Sequence, residues 1–230
     1  MNKSILTIMC SRERPNECFN AVESFLNTSS ESDLTILLDG DDSNLMAYLE
    51  KKEHLHFYMI QKKDTITNRI NQSALSNIDK YEFFHITNDD VFYHTKYWDK
   101  KFMETLNDYG YGIVYGNDLF QKENLPTFPF ISSEIIKELG WLQMPLLNKY
   151  YGDMAWKILG IEANCLYYCQ EIIIEHLHHL AGKGKYPVDM DIYKKDSESF
   201  ARWIGTRMER DIGKIRRLNA IESQPDILSN

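Results

Sequence analysis

A chain of 230 residues with 43% hydrophobic and 26% charged residues has the composition of a globular protein, which excludes a disordered, collagen-like or disulfide-scaffold chain. The net charge of −8 argues against a protein that coats nucleic acid non-specifically. The charge is uneven: residues 183–217 hold ten Lys or Arg against six Asp or Glu, whereas residues 1–182 hold sixteen against twenty-six. That basic segment reads either as a grip for an anionic substrate or as a charged amphipathic helix packed on the body. The longest apolar runs, such as residues 5–10, are far too short to span a bilayer, and the first residues lack the apolar stretch of a signal peptide. Cys165 and Cys169 stand four apart with no second thiol pair to complete a zinc site, so the four cysteines are expected as buried free thiols in a reducing cytoplasm.

The elements follow from apolar spacing. A buried strand is expected over residues 4–10, and a polar turn with Pro15 follows. Phe19, Val22, Phe25 and Leu26 give residues 16–27 the period of a helix. LTILL (34–38) is a second strand that stops at Asp39-Gly40-Asp41-Asp42. A helix over 44–53, a strand over 56–60 and a helix over 68–76 come next. YEFFHIT (81–87) is a fourth strand, ending at Asn88-Asp89-Asp90, and a helix runs over 98–106. Residues 112–115 form a short strand, 132–139 and 153–159 form helices, and 171–177 form a late strand. From 197 to about 220 the chain is charged and helical. Alternating strands and helices predict an α/β sheet with helices on both faces, and in such sheets ligands bind beyond the carboxyl ends of the strands.

Five clusters carry candidate chemistry. Asp89 and Asp90, adjacent at a strand end, need a cation or hydrogen-bond donors to be held close. A divalent ion with oxygen ligands is one answer, and a solvated turn is the other. Asp39 at the next strand end can accept from a ribose or a base, or belong to a plain Asp-Gly turn. Arg12 and Arg14 follow the first strand and face a diphosphate, a base or solvent. In the run 175–179, His176 and His178 point to the same side of a strand and could complete a metal shell begun by the two acids. Asp153 opens a helix, as an N-cap or as a general base. Trp141, Tyr150, Tyr151 and Trp156 are placed either to stack on a sugar or a base, or to fill the core.

Taken together, ILTIMCSRERP, LTILLDGDD, TNRINQSA, FFHITNDDVFYHTKYWDKKF, YYGDMAW and EHLHH…GKGK resemble, in this order and over residues 4–185, a glycosyltransferase of the GT-A fold, family 2-like. The resemblance implies a mixed α/β sheet in a catalytic domain over 1–185, with a C-terminal helical extension over 186–230 packed on it. It implies a nucleoside-diphosphate sugar, a UDP-sugar in preference, held by Ser11, Arg12, Arg14, Asp39, Asn68, Arg69, Asn88, Asp89, Lys183 and Lys185. Mn²⁺ or Mg²⁺ would be held by Asp90, then Asp89, with His178 ahead of His176. Asp153 would be the base that deprotonates an acceptor hydroxyl, with inversion. The acceptor would be a glycan or, as in some compact bacteriophage enzymes, a modified DNA base. Two departures stand out: the metal motif begins with Asn88, and the usual Glu-Asp pair reads Gly152-Asp153. A nucleotidyltransferase or sugar-nucleotide hydrolase is an alternative, although the first loop, SRERPNE, lacks glycine. A non-catalytic binding module is another.

Overall fold

The structure, a computed structural model, describes residues 4–51, 58–61, 64–178, 182–183 and 188–222. At its centre is β1 (Ile5–Ser11), buried along its whole length. Its side chains alternate between two cores, with Leu6, Ile8 and Cys10 on one face of the sheet and Ile5 and Met9 on the other. A strand covered on both faces reads as a near-continuous apolar run, which is why residues 5–10 look as they do. On one side β1 pairs in parallel with β2 (Ser32–Asp39), which pairs in parallel with β3 (Tyr58–Gln61). On the other side it pairs in parallel with β4 (Phe83–Asn88). The helices α1 (Pro15–Thr28), α2 (Leu45–Glu50) and α3 (Ile66–Leu75) connect these four strands.

Beyond β4 the sheet becomes mixed. β7 (Phe130–Ser132) runs antiparallel to β4, β6 (Ile113–Asn117) antiparallel to β7, β8 (Leu166–His176) parallel to β6, and β5 (Val91–Tyr93) antiparallel to β8. The order among the described strands is β3-β2-β1-β4-β7-β6-β8-β5. The mixed α/β sheet with flanking helices is therefore as expected. The register sets Ser11 beside Leu38 and Cys10 beside Asn88, so the segments after β1, β2 and β4 emerge at one edge.

Several boundaries differ from expectation. α3 starts at Ile66 rather than 68 because Thr65 caps it, its Oγ1 accepting from Asn68 N at 3.1 Å. The late strand begins at Leu166, so most of the CLYYC stretch is strand. The start of the strand expected over 56–60 lies outside the described residues. The Trp-Asp pair at 98–99 opens α4 (Trp98–Tyr109), and Asp99 is fully buried. It accepts from the backbone N–H groups of Ser30, Glu31 and Ser32 at 2.8, 2.7 and 3.0 Å, tying α4 to the start of β2. All four cysteines are buried and free. Among the described residues no helix is long and apolar enough to cross a membrane.

The C-terminal helix is in fact two helices, α7 (Met190–Thr206) and α8 (Met208–Glu222), with Trp203 Nε1 donating to Asp211 Oδ2 at 3.0 Å across the break. Phe200, Trp203, Ile212 and Ile215 share a core with residues of α5 (Ser133–Leu139) and α6 (Gly152–Glu162). Basic residues of α8 serve this docking: Arg216 donates to Glu162 O at 2.6 and 2.9 Å, and Arg217 pairs with Glu138 at 3.5 Å.

His85 on β4 is fully buried between Tyr93 Oη, 3.2 Å from its Nε2, and Pro129 O, 3.3 Å from its Nδ1. Burial pushes its pKa down to about 3. The unfolded chain takes up this proton near pH 6.5 and the folded chain does not, so stability falls as the pH drops from about 6.5 towards 3, by about 1.4 kcal/mol per pH unit. In urea unfolding between pH 6 and 4, His85→Gln should flatten the pH dependence by about that slope. An unchanged slope would mean that His85 is protonated in the folded protein.

Candidate functional site

A cavity of about 550 Å³ opens at the carboxyl edge of β1 and β4. It is bounded by the segment after β1, the end of β4, the start of α3, the start of α6 and the end of β8. The parallel register brings the first two together. α6 reaches the cavity because Tyr151, at φ +70°, turns the chain into the helix.

At one end lie Ser11, Arg12 and Arg69. Asp39 sits behind them, buried, rather than on the wall. Arg12 Nη1 lies 2.8 Å from Asp39 Oδ2 and 2.7 Å from Asp41 Oδ1, and Arg69 Nη1 lies 2.6 Å from Asp39 Oδ1. Asn68, expected here, is not brought to the cavity. Its amide bonds Asp64 at 2.9 Å on the exposed side of α3, because the cap at Thr65 sets a helical phase that turns Arg69 and Ile70 inward instead. Asn88 lies on the cavity wall at the end of β4.

The two adjacent acids part company. Asp89 is buried, accepts from Ser11 Oγ at 2.7 Å and forms an ion pair with Arg14. Burial pushes its pKa up to about 7 against the pull of Arg14 and Ser11. Asp90 faces His176, with Oδ1 3.6 Å from Nε2, and lies 3.4 Å from Arg14 Nη1. Burial pushes Asp90 up as well, but His176 and Arg14 outweigh it and leave the carboxyl below its ordinary pKa. His176 ends β8 and packs edge-on against Phe128, while His178 stacks on Phe120 with ring centroids 5.3 Å apart. Both imidazoles line the cavity. The structure thus puts His176 against Asp90, although the sequence reading had favoured His178.

Lys183 also lines the cavity, with its Nζ 2.6 Å from Glu175 Oε1. Lys185 lies outside the described residues. Asp153 is half-buried at the first turn of α6, and its Oδ1 accepts from Met154 N at 2.8 Å. Burial raises its pKa, against the backbone N–H groups and the nearby His176. Sequence reasoning missed Gln143 and Lys149 on the wall. The signal for Gln143 was indirect: Asn71, in the TNRINQSA stretch, holds its backbone.

Among the described residues no group of three or more His, Cys, Asp or Glu converges as a metal cage. The donor set nevertheless fits a hard divalent ion that takes the rest of its oxygens from substrate and water. Asp90 Oδ1 is buried without a hydrogen-bond partner and faces an imidazole nitrogen across 3.6 Å. Asp90 and His176 would hold such an ion, with Asp89 behind them.

No protein-family model matches the chain, and no curated protein matches it in sequence. Solved structures do. A mannosyltransferase from Pyrobaculum calidifontis, in complex with GDP-Man and Mn²⁺, superposes with a TM-score of 0.56 at 8% identity, over 98% of this chain and 77% of that one. S. aureus TarS 1-349 in complex with UDP-GlcNAc gives 0.56 at 10% identity, over 84% and 64%. A mycobacterial protein gives 0.59 at 8% identity, over 88% and 74%. The chain has the GT-A fold. Its match to the longer TarS structure spans only 36% of that chain. In this GT-A sheet, Arg14 is the cation that the described structure sets against the two acids after β4.

Removing that guanidinium strands a buried carboxylate. At pH 8, Arg14→Ala should lower stability by about 3 kcal/mol, the usual scale for breaking one partner of a buried pair. Adding Asp89→Asn to it should recover most of the loss. Urea unfolding of the single and double variants measures both, and additive losses would show that the two groups do not interact.

Proposed function

We propose that the chain is a metal-dependent glycosyltransferase that moves a sugar from a nucleoside-diphosphate sugar to an acceptor hydroxyl. The observation that carries this reading is the placement of two kinds of acid on one cavity in a GT-A fold. Asp90 faces the His176 imidazole and lies beside Arg14, and Asp153 stands apart at a helix start with its pKa raised. Solved structures of this fold hold UDP-GlcNAc in one case and GDP-Man with Mn²⁺ in another.

In this reading Ser11, Arg12 and Arg69 hold the nucleoside end, with Asp39 fixing the two guanidinium groups. Arg14 and Lys183 offer positive charge to the diphosphate. Asp90 and His176 hold Mn²⁺ or Mg²⁺, which when bound supplies Lewis-acid stabilisation to the departing nucleoside diphosphate. Asp153 takes the proton from the acceptor hydroxyl as that oxygen attacks the anomeric carbon, and the configuration inverts. A raised pKa suits a base, since it keeps the carboxylate hungry for a proton. A UDP-sugar is the preferred donor. A glycan is the preferred acceptor over a modified DNA base, because Arg216 and Arg217 of the basic segment are engaged with the body of the protein.

Thermal shift with UDP- and GDP-sugars, in Mn²⁺ and then in EDTA, tests the donor half. A ligand specific for the folded state raises Tm, and the shift should require the metal. No shift with any donor would favour a binding module of the same fold. Asp153→Asn tests the chemical half: donor binding should stay within twofold, while turnover should drop by about a hundredfold or more. Unchanged turnover would remove Asp153 as the base.

A further inference from the structure

Gln143 has a setting that none of the steps above uses. Its backbone is clamped on both sides by one side chain. Asn71 Nδ2 donates to Gln143 O at 2.7 Å, and Asn71 Oδ1 accepts from Leu142 N and Gln143 N, each at 2.8 Å. Asn71 directly follows Ile70 on α3, so the clamp ties Gln143 to the helix that carries Arg69. The Gln143 side chain lies over Gly152. A Cβ built on that glycine would come within 2.7 Å of Gln143 Nε2 and 2.8 Å of its Cδ, too close for either to stay. Gln143 lines the cavity, and its Oε1 is buried with no hydrogen-bond partner.

A buried amide oxygen without a partner is costly in itself. Here the backbone that carries it is fixed, and the neighbouring residue has no side chain. Through Asn71, Gln143 is tied to the helix that carries Arg69, and its side chain lies over Gly152, the residue before Asp153. A nucleoside-diphosphate sugar held by its nucleoside at the arginine end runs through its diphosphate to its terminal glycosyl group, which must lie beside Asp153 for transfer, so the glycosyl group is the part that meets the amide over Gly152.

Resting on the function proposed above, we propose that Gln143 determines specificity for the transferred sugar, its amide reading the ring hydroxyls while Asn71 holds it in place and Gly152 leaves it room. A site that hydrogen-bonds a hydroxyl rejects the isomer that lacks it there, because the amide then stays unpaired. The departure Gly152-Asp153 from the usual Glu-Asp pair acquires a steric reason: a side chain at 152 would expel the amide.

Calorimetric titration of the full chain in Mn²⁺ with UDP, UDP-glucose, UDP-galactose, UDP-GlcNAc and GDP-Man tests this. Gln143→Ala should leave the affinity for the free nucleoside diphosphate unchanged. It should weaken the preferred donor about three- to tenfold, the scale of one net hydrogen bond, and shrink the preference between the epimers UDP-glucose and UDP-galactose. Gly152→Ala, which displaces the amide without touching Gln143, should reproduce the effect. Donor affinities and epimer preference equal to wild type in Gln143→Ala would overturn the role of Gln143 and leave the glycosyltransferase reading standing. Wild-type protein that binds no nucleotide or nucleotide sugar would overturn both.

Discussion

Charge compensation at the carboxyl edge of the sheet is the constraint on which the rest of this structure depends. Parallel pairing of β2, β1 and β4 delivers the ends of three strands to one place. The residues there include Asp39 and Asp89, whose side chains are 5% and 0% exposed. Carboxylates so deep need cations or several hydrogen-bond donors beside them, and here cations supply most of the compensation. Arg12 and Arg69 bracket Asp39, and Arg14 spans Asp89 and Asp90. Two of those arginines come from the short turn after β1 and one from α3. The site's charge balance therefore also fixes how that turn and that helix sit on the sheet.

The same chain uses other buried acids in a second way, as anchors for loops. Asp99 gathers the N–H groups of residues 30–32. Asp118 gathers those of Phe120, Gln121 and Lys122 at 2.6–2.9 Å and takes a bond from Thr127 as well. Asp196 of α7 accepts from the N–H groups of Asn148, Lys149 and Tyr150, all at 2.8 Å, and from the Asn148 amide. Each of these carboxylates thereby has several backbone N–H donors for its oxygens in place of water. The last of these anchors matters for the cavity, because Lys149, Tyr150 and Tyr151 stand on its wall. The C-terminal helices thus shape one side of the site from behind. Part of the acidity of residues 1–182 has this internal purpose rather than a partner.

What the sequence made legible follows the same division. The strands buried on both faces announced themselves as apolar runs, and the acids at their ends pointed to the edge where the cavity lies. β5 and β7 did not, because three residues carry no period. The break between α7 and α8 was hidden because residues 190–222 keep a helical pattern on both sides of it. Within the site, residue types were readable and partners were not. Asp39 could be seen as an acid at a strand end, but not as an acid held between two arginines. Asn68 and Asn71 were equivalent in the string. Only the cap at Thr65 decides that Asn71 faces the cavity loop and Asn68 faces Asp64. Gln143 had no signature at all, since its position depends on a contact with a residue 72 places away.

The acid at position 153 shows why such placement matters for chemistry. Asp39 lies behind the cavity wall, held between the guanidinium groups of Arg12 and Arg69. Asp153 lies on the cavity wall under different influences: burial raises its pKa, backbone N–H groups and His176 lower it, and Asp118 raises it again. Burial dominates, so this carboxyl has a greater appetite for a proton than a solvated aspartate. The fold thus keeps two electrostatic environments around one cavity, rich in arginine at the strand ends and governed by burial at the start of α6. A reaction in which negative charge gathers on a leaving group at one end, while a proton is drawn off at the other, needs that asymmetry. Under the proposed reading, the arginines and the base must stay apart. The sheet edge and the α6 start, positioned by independent anchors, keep them so.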